Sequence, residues 1–466
     1  MVKCYNKKFK GDANVEENEK ITIESNISDE SAEEIVTETA SEGHHHHHHH
    51  SHHHRHHSHH RSSSSKKKNK LFRFISKNKN KLINCAVAIL VVSVLIVIGS
   101  FVDSYDFKKQ TNTANKAQRV DASSIIIKAP LFKEDVVIVG PAVEEYIYSY
   151  PETSIEDIYA KYKGDSEYID IALPVVLSYS IESTPDGCSV KRAKVLLSEN
   201  SDLSNADIYT LAKDKTSIKI YNLKTNTKYF YRIMLTLSGD SESSVGGSFK
   251  TADTPRILTA QGVGNLRDIG GYKTANGKTV KQGMLYRGCE LDGAVAPQYA
   301  ASAEGISTML TVLGIRTDMD LRQHSEVQGV ADALGVGVKH NIYDSPQYLG
   351  VFDSDKKENL RLIFSDLAKK ENYPVYLHCT HGMDRTGTIC FLLGAVLGVS
   401  EEDLMIDYNL SGLYHSDMWG SDEMEKFVNR IKMQQGNSLQ EKAQNFLLSV
   451  GVTPQEIQSI KEIYLS

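Results

Sequence analysis

Between residues 169 and 253, apolar residues recur at alternate positions or in short runs: IALPVVLSYSI, AKVLLS, SIKIYNL, KYFYRIMLTLS and GGSFKT. Turn-forming PDG, SENSD and SGDS separate them. Short period-two strands with few helix signals predict an all-β sandwich. After Pro255 the period changes. A helical stretch near Ala303 to Leu313 leads into strand-like TDMDLR. Another, near Lys357 to Lys369, leads into PVYLHC and then TGTICFLLGAVLG. This alternation predicts an α/β domain over 255–466, with a mostly parallel sheet flanked by helices. Its end is helical: Ser400 with Asp403 suits a capping box, and Thr453, Pro454 and Glu456 supply a cap, an N1 proline and an N3 acid.

The N-terminal part obeys other rules. Leu82 to Val102 is 21 residues without a charge, long enough to cross a bilayer at about 1.5 Å per residue. The segment before it, KKKNKLFRFISKNKNK, is basic, whereas Asp103 and Asp106 lie after it. The positive-inside rule predicts a single-pass membrane protein with a cytoplasmic N-terminus and an extracytoplasmic remainder. Residues 1–81 are expected to be disordered: acidic from Asp12 to Glu42, His-rich from Gly43 to Arg61, basic to Lys81. The imidazoles could capture transition metals loosely; a solvated spacer is the simpler reading. Residues 103–168 read as a stalk that packs partly on the strand-rich region, with a helix near Ser154 to Tyr162. The net charge of -6 conceals this local asymmetry, and nothing in it calls for a nucleic-acid partner.

Candidate chemistry centres on HCTHGMDRTG, His378 to Gly387. An apolar strand ends before Cys379 and a helix starts near Thr386, so the loop opens at a helix N-terminus. Backbone N–H groups and the helix dipole there favour an oxyanion of phosphate size. Such a setting lowers a thiol's pKa from near 8.5 to roughly 3.5–7.5, and the thiolate can attack phosphorus. Arg385 can fork onto two phosphoryl oxygens. Thr380, His381, Gly382, Met383, Thr386 and Gly387 form the phosphate cup, with Gly382 permitting the tight turn and Thr386 placed to donate to the thiolate. Asp384 is the first candidate general acid and Asp344, in NIYDSPQY, the second. Asp320 is the third, although TDMDLR fits an architectural role better, through pairing of Arg322 with Glu326. The six cysteines show no CxxC pair, so at least one thiol is expected to stay free. Cys390 falls on the interior of the signature helix. Trp419 is expected to pack a loop.

Two regions resemble known families. NLKTNTKYFYRI places Leu223, Thr227 and Tyr229 in a spacing that resembles the tyrosine corner of fibronectin type III domains. The sandwich differs in having Tyr179 where many such domains bury a tryptophan. HCTHGMDRTG resembles the loop of cysteine-dependent phosphatases, and more narrowly the bacterial tyrosine-phosphatase family that shares an aspartate before the arginine with myotubularin-type enzymes. NLRDIGGY, MLYRGCEL with Arg287, GIRTDMDLR, and DYNLSG from Asp407 are similar to that family's other motifs, in order. The resemblance implies phosphomonoester hydrolysis without a cofactor or metal, with Asp384 as the acid. Met383 stands where several relatives with phosphoinositide activity carry Lys, and Gly288 with Cys289 replaces the usual residues after Arg287.

The expected function is a membrane-anchored phosphatase acting on phosphotyrosine, or also on phosphoserine and phosphothreonine, through a phosphocysteine. The alternatives are a phosphoinositide or small-phosphoester hydrolase, and an inert surface binding protein whose sandwich holds a partner.

Overall fold

Strand Lys228–Leu237, KYFYRIMLTL, buries every second side chain as its alternation requires. The chain around it is seen in a computed structural model that describes residues 125–164, 172–184, 187–253, 255–414 and 421–466. These lie in one unit, Thr111–Ser466. The expected tail, membrane span and first part of the stalk, and Trp419, lie outside the described residues. Among the described residues, no helix is long and apolar enough to cross a membrane.

The sandwich has more strands than the alternating runs predict. One layer pairs β1 (Ile126–Lys128) with β3 (Ser180–Ser183), and β2 (Val175–Ser178) with β6 (Ser217–Ile220). The other runs β5-β4-β7-β8, built from Asp207–Thr210, Val190–Ser198, Lys228–Leu237 and Glu242–Lys250. All pairs are antiparallel. Ile125 and Ile138 join its core beside Tyr179, so part of the expected stalk is sandwich. The Tyr229 hydroxyl accepts from the backbone N–H of Lys224 at 2.9 Å, which pins the corner that the Leu223–Thr227–Tyr229 spacing marks.

Two helices interrupt the sandwich after β1. α1 (Pro141–Ser149) and α2 (Ile155–Tyr162) form a hairpin tied by Lys161 and Tyr162 to Glu145. Ser154 caps α2 by accepting from Asp157 N. The hairpin's apolar face turns toward the α/β domain. Val143, Tyr146 and Ile158 pack with Ile257, Ile406, Leu410 and Leu413 of the α/β domain.

The α/β domain carries a six-stranded sheet in the order β13-β12-β14-β11-β10-β9. These strands are Lys339–Ile342, Thr317–Asp320, Val375–His378, Leu285–Gly288, Arg267–Asp268 and Arg256–Ile257. The first four run parallel, and β10 pairs antiparallel with β11 on one side and with β9 on the other. α3 (Ala303–Thr311) covers one face with Met309 and Leu313 among Leu258, Tyr286 and Tyr376. The other face is covered by α4 (Lys357–Leu367), α5 (Asp384–Leu397), α6 (Glu401–Asn409), α7 (Ser411–Tyr414), α8 (Ser421–Lys432), α9 (Leu439–Ser449) and α10 (Pro454–Tyr464). α5 is apolar all round and buried from Thr386 to Leu397, as befits a central helix. It stops at Gly398, φ +89. The capping box at Thr453 and Glu456 forms.

Candidate active site

Register brings the site together. At the carboxyl edge of the sheet His378 stands beside Gly288 and Asp320, and Asp320 beside Ile342. Cys379, Cys289, Leu321 and Tyr343 therefore leave the sheet on one edge, where open α/β sheets bind ligands. α5 begins five residues after Cys379, and its first turn supplies Asp384, Arg385, Thr386 and Gly387.

The turn between has little freedom. Gly382 has φ +67, and a Cβ there would lie 2.3 Å from Gly288 O, so only glycine fits. Gly387 is needed as well: its Cβ would meet the Tyr408 ring at 2.6 Å. The departure at Gly288 also has a cause. A Cβ at 288 would lie 2.5 Å from the Tyr376 hydroxyl, which donates to Cys289 O. Tyr376 thus fills the space that a side chain at 288 would need.

Buried donors hold the loop's carbonyls. His381 O accepts from Asn265 Nδ2 at 3.0 Å and from Cys289 Sγ at 3.3 Å. Gly382 O accepts from Arg287 Nη2 at 2.8 Å. Arg287 is fully buried, and its Nη1 donates to Asp407 Oδ2 at 2.5 Å. Asp407 Oδ1 accepts from Arg267 Nε at 2.8 Å, and Ser411 Oγ takes a further bond from Arg267. Burial pushes the Asp407 carboxyl up, but the two guanidiniums outweigh it and hold it below the usual range. These residues lie in the NLRDIGGY, MLYRGCEL and DYNLSG stretches. The stretches stand out in the sequence and the network does not, because no spacing reveals which buried arginine meets which acid.

Cys379 is 2% exposed, and Arg287 and Arg385 both lie near it. Cys188, Cys379 and Cys390 are free thiols; burial pushes Cys390 up to about 11. The Thr386 hydroxyl is buried and has no hydrogen-bond partner among the described residues. Met383 is buried in the core beside Cys379. His381, its pKa lowered by burial, meets Tyr299 edge to face at 5.7 Å; Thr380 is buried.

Arg385 faces a cleft of about 450 Å³. Its guanidinium is gripped by Glu326 through two bonds of 2.6 and 3.2 Å. The expected pairing of Arg322 with Glu326 is therefore absent. Arg322 instead binds Asp320, Asp292 and Glu290, all at 2.5–2.7 Å, because β12 and the segment after β11 bring those acids beneath the loop. Asp320 is buried in that cluster and does not face the cleft. Asp344 does, with Lys356 and Asp353; its carboxylate accepts from His324 N at 2.6 Å. Asp384 accepts from the Tyr348 hydroxyl.

Behind Cys379, His378 Nε2 lies 2.9 Å from Asp318 Oδ1, off the hydrogen-bonding direction, and 4.0 Å from Asp320. Burial alone would lower its pKa, but these carboxylates raise it to about 9. The cluster holds four acids against Arg322, so a protonated His378 offsets their charge.

Residues 258–466 match a family model described as the tyrosine phosphatase family. A Cupriavidus necator protein to which tyrosine-protein phosphatase activity is ascribed is 28% identical over 170 residues, which is 31% of this chain and 59% of the relative. The chain thus spans less than two thirds of that curated relative. Among solved structures, the core catalytic domain of the PP-IP phosphatase SIW14 of S. cerevisiae, held with citrate, is 12% identical. That likeness covers 38% of this chain and 98% of that one at a TM-score of 0.22, too slight to bear on the fold. The family match and the curated relative support a phosphatase enzyme.

Proposed function

We propose that residues 255–466 hydrolyse phosphotyrosine, and more broadly phosphomonoesters of proteins, through a phosphocysteine. The Cys379 thiolate attacks phosphorus; the S–P bond forms as the ester P–O bond breaks, and Asp384 gives the leaving oxygen its proton. Water then attacks phosphorus, Asp384 takes a proton from it, and the thiolate leaves as inorganic phosphate is released. Arg385 turns from Glu326 to hold two phosphoryl oxygens, and Thr386 donates to the departing thiolate. No metal takes part in these steps.

The observation that carries this reading is the engagement of the His381 and Gly382 carbonyls by Asn265, Cys289 and Arg287. With those acceptors occupied, the N–H groups at the head of α5 are what the loop offers an oxyanion above Cys379. Asp344 is the second candidate acid because it lines the Arg385 cleft. The cleft also favours a monophosphate ester over a polyanionic inositol headgroup. Glu326, Asp344 and Asp353 line it against Lys356 and Arg385, and Met383 is buried where a lysine would extend the positive field.

In this reading the sandwich is a fibronectin type III-like extracytoplasmic module beside the enzyme, on a chain anchored by residues 82–102. Protease treatment of intact cells tests that placement: shaving must remove epitopes beyond residue 125 and spare the N-terminal tail. The chemistry is tested on the full chain with a phosphotyrosine peptide and a chelator. Turnover must persist with the chelator, vanish in Cys379→Ser, and fall about 10²- to 10⁴-fold in Asp384→Asn. Turnover intact in Asp384→Asn but lost in Asp344→Asn moves the acid to Asp344. Activity in Cys379→Ser sinks the phosphocysteine.

A further inference from the structure

One residue outside the signature loop holds Asp384 in two ways. The Tyr348 hydroxyl donates to Asp384 Oδ1. The Tyr348 backbone N–H donates to Thr388 Oγ1 at 2.9 Å, and Thr388 Oγ1 donates to Asp384 O at 2.8 Å. Tyr348 is buried, and burial, followed by the neighbouring Tyr408 and Asp384, raises its pKa far above the usual phenol value. It is therefore a hydroxyl donor and not a phenolate. Its proton is committed to the carboxylate, so the bond to Tyr408 Oη, 2.6 Å long, must be donated by Tyr408. A one-way chain runs Tyr408 to Tyr348 to Asp384.

The backbone at Tyr348 has φ +49, a left-handed conformation unfavourable for an aromatic residue. Strain of this kind persists where the surroundings over-determine it, and it collects at functional sites. Here it aims the ring at Asp384 from the segment just after Asp344.

We propose that Tyr348 is a positioning residue for Asp384. Its hydroxyl occupies Oδ1, leaving Oδ2 to carry the proton that passes to the leaving oxygen, and Tyr408 fixes the direction of that hydroxyl. The proposal rests on Asp384 being the general acid.

General acid catalysis matters most when the leaving group is a poor one. A nitrophenolate departs without a proton, whereas an unactivated phenol or tyrosine needs one. kcat/KM is measured on the full chain with p-nitrophenyl phosphate, phenyl phosphate and a phosphotyrosine peptide. In Tyr348→Phe, the nitrophenyl rate stays within about threefold while the other two fall about tenfold to a hundredfold, a fraction of the acid's own contribution. Asp384→Asn shows the same selectivity, more deeply. Tyr408→Phe shows it more weakly and serves as the second variant if Tyr348→Phe does not fold. An equal loss on all substrates, or no loss, in the variant measured overturns the role of Tyr348 while leaving Asp384 as the acid, provided Asp384→Asn stays selective. If Asp384→Asn is itself unselective, the acid assignment fails and this proposal with it.

Discussion

At the scale of single residues, Asp407 decides more than its place in the sequence suggests. It stands 28 residues beyond Cys379 in the chain, yet it holds both arginines that brace the signature loop. Removing one partner from a buried ion pair leaves an uncompensated charge and costs about 3–5 kcal/mol. Asp407→Asn keeps the size and two acceptor or donor positions, but loses the charge that balances Arg267 and Arg287. We expect the full chain to lose about that much stability and the phosphatase rate to fall with it, because the Gly382 carbonyl loses its fixed donor. Urea denaturation read beside turnover checks this. Unchanged stability with unchanged rate would mean that the loop needs no brace. Gly288→Ser tests packing at the same place: the added side chain meets the Tyr376 hydroxyl, and overpacking of this kind costs about 1–3 kcal/mol. The chemistry-bearing residues were legible here because their spacing is set by one turn. The bracing residues were not, because they meet through the fold across 92 to 140 positions.

At the scale of elements, the end of β14 and the end of β12 share a charge problem. His378 sits between Asp318 and Asp320, with Arg322 opposing its protonation from the same cluster. A folded-state pKa near 9, above the unfolded value of about 6.5, means that the native chain holds a proton the unfolded chain has released. Its contribution is complete below about pH 6.5 and is lost as pH rises through about 9. His340, half-buried and raised chiefly by its bond to Asp320, acts in the same direction. We expect the unfolding free energy to fall by on the order of 3 kcal/mol between pH 6.5 and 9.5, and the fall to flatten in His378→Asn. Urea midpoints across that range decide it; a flat wild-type profile would show that the cluster holds no extra proton. The elements themselves were largely legible. Alternation marked β7, and strand-then-helix order marked β14 and α5. The helix expected near Ser154 to Tyr162 forms as α2; α1 and β1 were harder, because β1 is three residues long and the α1 sequence does not say which distant surface it will cover.

At the scale of the whole molecule, the boundary at Pro255 divides the sequence more cleanly than it divides the structure. Arg256, just past it, donates to Leu223 O and Asn222 O in the sandwich and to Asp268 in the α/β domain. Asn222 exchanges two bonds with Thr259, and Gln282 reaches Thr225. The α1–α2 hairpin adds an apolar seal over Ile257, Ile406, Leu410 and Leu413, and Asn409 donates to Tyr146 Oη at 2.8 Å. The helices under that seal carry Asp407 and Ser411, so the seal supports the brace of the signature loop. A fully buried aliphatic side chain is worth about 1.5–3 kcal/mol. If the hairpin supplies half the burial of these four, its removal costs on the order of 4 kcal/mol, a large share of a domain stability of about 5–15 kcal/mol. Residues 255–466 alone should therefore melt well below a fragment of residues 111–466, bind a hydrophobic dye, and turn over phosphate ester more slowly. A double change in the hairpin, Val143→Asp with Ile158→Asp, should reproduce the effect in the full chain while leaving the sandwich strands intact by circular dichroism. Equal melting temperatures and equal turnover for the two fragments would make the hairpin a passenger, and the enzyme would then end where the sequence pattern places its boundary.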